Sequence, residues 1–254
     1  LTTSEPYVMG SHATGSGAWC SGPEDISPPE YFWGYNRMTT IEGLFGAGDA
    51  VGGTPHAFSS GSFTEGRLAA KAACKYIDDG KAEGIVVSEA QISRRRAEIY
   101  KPLEHYRTYR NAIVAGSVNP HYINPKQGLD RLQKLMDEYC GGVTVNYMTN
   151  EKLLNIGLKK LAIMEEDLEK LAAEDIHELL RAWELKHRHR AAECVTQHTL
   201  FRKETRWPGY YYRGDAMKVD DENWHVLTVS RRDPRTGEYT MEKAPCYHLV
   251  ADEA

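Results

Sequence analysis

The sequence predicts an α/β segment, then a helical domain, then a short C-terminal segment with strands. Three observations predict that order. Gly46, Gly48, Gly52, Gly53, Gly61 and Gly66 crowd into 21 residues between an apolar run and an amphipathic stretch. Leu153, Ile156, Leu161, Met164, Leu168 and Leu171 then recur near one helical face. After Pro208, short strand-like runs replace the helical period.

Residues 1–37 are rich in Gly, Ser, Pro and aromatics, with breakers at Ser21-Gly22-Pro23 and Ser27-Pro28-Pro29, which forbid long helices and favour an ordered loop. Gly43-Leu44-Phe45-Gly46-Ala47-Gly48-Asp49 reads as a short apolar strand. A Gly-rich turn follows, and then a helix from about Ser62, with Leu68, Ala69, Ala72, Ala73 and Tyr76 as its apolar positions and Asp78-Asp79-Gly80 as its end. These elements make up residues 1–85.

Residues 86–125 read as a surface helix over 88–111, with Pro102 a point at which it can break, and a connector punctuated by Asn119-Pro120 and Asn124-Pro125. The helical domain, 126–205, holds predicted helices over 126–139, 150–172 and about 173–202. In the last segment, 206–254, strands are predicted over Trp224 to Val229 and Tyr239 to Met241, around the turn Asp233-Pro234-Arg235-Thr236-Gly237.

The bulk numbers narrow the function. Among 254 residues, 41% are hydrophobic, enough for a sizeable core, and the formal net charge of -5 offers no basic field for nucleic acid or anionic lipid. Cys20, Cys74, Cys140, Cys194 and Cys246 contain no CxxC pair, so neither a disulfide framework nor a zinc or iron-sulfur ligand set is expected, and reduced cysteines suit a cytoplasmic protein. No apolar run reaches the roughly 18 residues that span a bilayer. Leu1-Thr2-Thr3-Ser4 lacks an initiator Met and a signal pattern, so the expectation is a fragment that begins inside a longer protein.

The glycine cluster lets backbone approach a ligand, and a helix start near Ser62 aims free N–H groups at an electron-rich atom. A P-loop Lys-Ser/Thr pair and GxGxxG are both missing. On physical grounds this is a nucleotide or flavin site, with a structural turn as the alternative.

Met38-Thr39-Thr40-Ile41-Glu42-Gly43-Leu44-Phe45-Gly46-Ala47-Gly48-Asp49 resembles the second FAD-binding motif of the fumarate reductase and succinate dehydrogenase flavoprotein family. The resemblance implies that Asp49 holds ribityl or ribose hydroxyls of FAD, and that Ser62, Phe63 and Thr64 lie at a helix start facing the isoalloxazine N1 and O2 edge. A positive helix end there favours the anionic reduced flavin. The pattern departs at Phe58-Ser59-Ser60-Gly61, where the dicarboxylate enzymes carry an Asn-Arg-Leu-Gly-like stretch, so their Arg proton donor is absent.

A wider resemblance, to the family of dissimilatory adenylylsulfate reductase alpha subunits, covers nearly the whole chain. It is carried by Val8-Met9-Gly10-Ser11-His12-Ala13, Trp19-Cys20-Ser21-Gly22-Pro23-Glu24-Asp25, Pro55-His56-Ala57-Phe58-Ser59-Ser60-Gly61-Ser62, Asp175-Ile176-His177-Glu178-Leu179-Leu180-Arg181 and Arg206-Trp207-Pro208-Gly209-Tyr210-Tyr211-Tyr212-Arg213. It implies reduction of adenylylsulfate to sulfite and AMP, or the reverse, through a flavin N5-sulfite adduct. It also implies an iron-sulfur beta subunit with two four-iron four-sulfur clusters as partner, with a membrane-associated electron donor complex linked only indirectly. Residues 1–85 would then be the C-terminal part of a Rossmann-like FAD-binding domain, whose first nucleotide motif and capping domain lie upstream.

Single residues divide between chemistry and packing. By its setting alone His12 is as readily a structural histidine as a ligand; the resemblance makes it the catalytic and substrate-binding residue, hydrogen bonding to sulfate or phosphate oxygens. Phe58 as an isolated aromatic suggests packing, whereas the resemblance makes it substrate-binding, stacked on adenine. His56 is a second polar contact or a turn stabiliser, and Trp19 and Trp33 are read as loop anchors. His177, His187, His189 and His198 sit among opposite charges, so no metal is expected. Arg202 to Trp207 with Tyr210-Tyr211-Tyr212 mixes basic and aromatic character, but the acidic total favours structural and subunit packing over nucleic acid. The competing functions are a fumarate, succinate or aspartate oxidoreductase and a non-catalytic helical docking module.

Overall fold

Local signals place the helices. The structure, a computed structural model, describes residues 16–52, 58–114, 116, 119–206 and 211–247, with the side chain of Phe58 left aside. His12, His56 and 207–210 lie outside the described residues. The chain forms two compact units, Leu1–Val86 with Cys246–Ala254, and Val87–Pro245.

In the second unit, side-chain caps start every long helix. The first unit holds α1 (Phe58–Asp78), and the second holds α2 (Glu89–Tyr109), α3 (Pro125–Tyr139), α4 (Glu151–Leu168) and α5 (Ile176–Phe201), with Ser88 and Gln91 forming a capping box at the start of α2. Asn124 and Gln127 repeat the box on α3, with Pro125 at the first helical position, and Asn150 and Asp175 cap α4 and α5. The apolar stripes of α3, α4 and α5 meet in one core around Leu135, Leu161, Met164, Leu168 and Leu185. Each such fully buried side chain stabilises by about 1.5–3 kcal/mol. α2 is unbroken at Pro102, whose carbonyl accepts the Ala173 N–H at 3.0 Å, and it docks on α5 through Leu103, Leu179 and Trp183. α4 ends at Leu168, short of the predicted 172, because the backbone turns there to bridge Leu171 to Ile123.

Strands are few. β1 (Met148–Thr149) and β2 (Tyr212–Arg213) form a short parallel pair that no local period announces. Trp224 ends a one-turn helix, α6 (Asp221–Trp224), instead of opening a strand. β3 (Val226–Arg232) and β4 (Tyr239–Pro245) then make an antiparallel hairpin with Arg232 opposite Tyr239. Asp233 Oδ1 accepts the N–H groups of Arg235 and Thr236 to close its turn.

The first unit corrects two expectations. Among its described residues, 43–49 is not a strand: Phe45 makes an isolated antiparallel bridge to Met38, and Gly48–Ala50 is a 3-10 turn. A strand exists only through a hydrogen-bonded neighbour, and the neighbour here is one residue of the preceding loop. α1 also begins at Phe58, one turn before the predicted Ser62. Ala69, Ala72 and Tyr76 are the buried face of α1, as the spacing predicts, with Met38 and Val51 buried in the same unit.

Candidate cofactor site

The loop before the site is held by its own side chains. Trp33 donates its indole N–H to the Thr39 carbonyl at 3.0 Å and its backbone N–H to Ser21 Oγ, while Trp19 meets Tyr31 edge to face. Both tryptophans therefore sit where anchoring residues should. The chain then returns so closely that a Cβ on Gly52 would stand 3.0 Å from the Gly17 carbonyl oxygen. That glycine serves contact of the chain with itself.

Gly48 is different. Its φ of +65° places it in the left-handed region, and its α-carbon faces α1, where an added Cβ would meet Ser62 Oγ at 3.4 Å. The 3-10 turn carrying Asp49 thus lies against the second turn of α1, and the Asp49 side chain is at the surface. Ser62 is half-buried at this contact, Phe63 stands 81% exposed, and Thr64 spends its hydroxyl on the Ser60 carbonyl at 2.9 Å.

Because α1 starts at Phe58, the N–H groups with no acceptor inside the helix are those of Phe58, Ser59, Ser60 and Gly61. Those of Ser62, Phe63 and Thr64 belong to the helical ladder, so the predicted trio marks the second turn and not the helix end. A helix start beside an acidic turn can face an electron-rich ring edge with the one and hold hydroxyls with the other. No arginine stands in that first turn.

Two residues that sequence reading passed over join the site's frame. Arg37, at φ 66°, donates from Nη2 to Glu65 Oε1 at 2.7 Å, and Glu65 is 5% exposed on α1. One signal was available: Glu65 lies four, seven and eleven positions before Ala69, Ala72 and Tyr76, on the buried face. Burial pushes the neighbouring Cys20 thiol up from its ordinary pKa, with Arg37 opposing.

The other candidates are occupied structurally. His189 is buried with Nε2 2.8 Å from the Leu161 carbonyl, and His198 bonds Thr228 and Ser230 on β3. Glu204, fully buried, gathers Arg202, Arg206 and the Asp220 N–H, so the described part of the basic and aromatic tract is tied to its own unit. Among the described residues no helix is long and apolar enough to cross a membrane.

Residues 129–249 of this chain match the family model described as fumarate reductase flavoprotein C-term. More narrowly, the chain is a homologue of the alpha subunit of adenylylsulfate reductase. It is 41% identical over 264 aligned residues to that subunit from Megalodesulfovibrio gigas, an alignment that takes in 100% of this chain and 39% of the relative. An uncharacterized FAD-dependent oxidoreductase of Methanocaldococcus jannaschii is 26% identical over 72% of this chain and 31% of its own length. Among solved structures, adenylylsulfate reductase from Archaeoglobus fulgidus superposes with a TM-score of 0.90 at 50% identity, over 98% of this chain and 39% of that one. An adenosine-5-phosphosulfate reductase structure in complex with sulfite, as a covalent adduct, matches equally. The quinol fumarate reductase flavoprotein of E. coli follows at a TM-score of 0.60 and 25% identity, over 86% of this chain and 36% of that one. The chain thus spans 39% of the length of the curated subunit it matches.

Proposed function

We propose that this chain is the C-terminal part of a flavoprotein that interconverts adenylylsulfate with sulfite and AMP, in the cytoplasm, with an iron-sulfur beta subunit as electron partner. The observation that supports this reading most is the whole-chain match to adenylylsulfate reductase at a TM-score of 0.90. Residues 1–85 would close over FAD, which supplies two-electron redox chemistry when bound. The residues fit that group: a surface carboxylate, Asp49, stands on a turn packed against the first turns of a helix, whose positive end favours negative charge.

In this reading Asp49 accepts hydroxyl hydrogens of the cofactor, and the first turn of α1 stabilises negative charge on the reduced ring. Ser62 positions that turn against Gly48, and Phe63 and Thr64 flank it. His12 donates to the sulfate or phosphate oxygens and offsets charge on the leaving AMP. Phe58, at the head of α1, stacks on adenine, a contact worth about 1–3 kcal/mol.

The dicarboxylate alternative is disfavoured by Phe58-Ser59-Ser60-Gly61, which puts no arginine at the helix start. The test is an assay of the full-length protein with its iron-sulfur partner. AMP-dependent oxidation of sulfite is expected, and its loss in His12→Ala with FAD content kept. Turnover of fumarate or succinate without sulfite activity would overturn the reading.

A further inference from the structure

We propose that the Arg37–Glu65 pair, in which Glu65 is buried and Arg37 half-buried, is a positioning element of the flavin site, holding α1 against the Asp49 loop and balancing charge beside it. The inference rests on the flavin reading above.

Arg37 is held in its left-handed conformation from three sides. Its N–H donates to the Ser21 carbonyl at 2.8 Å, its carbonyl accepts the Gly46 N–H at 2.9 Å, and its guanidinium holds Glu65 at 2.7 Å. Such a conformation persists where the surroundings over-determine it, and it clusters at functional sites. The loop so fixed runs from Arg37 through the Met38–Phe45 bridge to the turn bearing Asp49. Glu65 fixes the other piece, α1. The two parts assigned to the cofactor are therefore joined by this pair as well as by the Gly48–Ser62 contact.

The pair is poorly suited to stability alone. Arg37 Nε, Glu65 Oε2 and the nearby Asn36 Oδ1 are buried with no hydrogen-bond partner among the described residues. Charges largely withdrawn from water with bonding capacity unmet are weak stabilisers, and apolar side chains would fill the space as well. What an apolar pair would lack is compensating charge near the helix end. Glu65 is seven residues into α1, roughly 10 Å along its axis from Phe58. Cys20, whose thiol burial keeps protonated, adds no charge there.

The two charges act on a reduced, anionic ring with opposite signs. Glu65→Gln leaves the Arg37 cation uncompensated and raises the flavin midpoint potential. Arg37→Gln leaves the carboxylate and lowers it, while Glu65→Asp keeps the charge and stays near wild type. The potential is read by spectroelectrochemical titration of the full-length holoprotein with its partner subunit, together with FAD content. If Arg37→Gln does not fold, the contrast between Glu65→Gln and Glu65→Asp carries the test. Shifts of the same sign from both charge-removing variants, or none with flavin bound, overturn the proposal and leave the flavin site standing. A wild-type holoprotein without a flavin spectrum overturns both.

Discussion

The Arg213 network of the helical unit and the Arg37–Glu65 pair of the glycine-rich unit hold charge in opposite ways. In the helical unit Arg213 is 1% exposed and finds a partner for each nitrogen: Asp215 takes Nε and Nη2, and Nη1 donates to the carbonyls of Thr199, Leu200 and Arg202. It thereby closes the C-terminus of α5, where the last carbonyls have no helical partner. In the glycine-rich unit the Arg37–Glu65 pair leaves buried polar atoms unmet, and Phe63 projects into solvent. A fully satisfied network suits an element whose task is to stay still. An incompletely satisfied one suits an element whose surroundings are completed by a ligand.

The sharpest way to break this contrast is to remove Arg213. Arg213→Ala leaves the Asp215 carboxylate and the last carbonyls of α5 without their donor, and hydrogen bonds to a charged group are worth about 1.5–3 kcal/mol each. Urea unfolding should show that loss. Hydrogen exchange should place it in α4, α5 and β2, with amides of residues 58–78 little changed. A midpoint unchanged from wild type would mean that the arginine is dispensable, and the contrast would lose its first half.

Gly48→Ala probes the other unit with a smaller effect. An L side chain at φ +65° costs about 1–2 kcal/mol, and the new Cβ would touch Ser62 Oγ at 3.4 Å. Expected is a loss of FAD content in the full-length protein with the helical unit's exchange pattern intact. If FAD is retained at wild-type level, the Gly48–Ser62 contact is not part of the cofactor frame.

How much of this was legible in the sequence follows the same divide. α3, α4 and α5 were readable because their apolar periods and their caps, Asn124, Asn150 and Asp175, are local. The hairpin was readable from Asp233 to Gly237, though Trp224 was misplaced because a one-turn helix and a strand start look alike over four residues. The glycine-rich unit was read for its chemistry and misread in its geometry. A strand over 43–49 needs a partner that periodicity cannot supply, and α1 starts at Phe58 because Ser59, Ser60 and Gly61, weak helix formers, are carried by the packing that follows. Arg37 and Glu65 are 28 residues apart, and Arg213 binds backbone carbonyls, which leave no mark on sequence.

Asp215 offers the mildest test of the satisfied network, through protons. Arg213 holds its carboxyl down at about 2, helped by the N–H of Glu151 at the start of α4. An unfolded Asp titrates near 3.9, so the folded state binds this proton more weakly. The stability the group contributes is complete above about pH 4 and is lost as pH falls toward 2. The side chain is a third exposed, so solvent and salt screen the effect. Urea midpoints of wild type and Asp215→Asn should therefore differ at about pH 6 and converge as acid is added, most clearly at low ionic strength. A gap between the two proteins that stays constant down to about pH 2 would mean that the carboxylate charge contributes nothing. The bridge from α5 to α4 would then rest on Arg213 and the backbone alone.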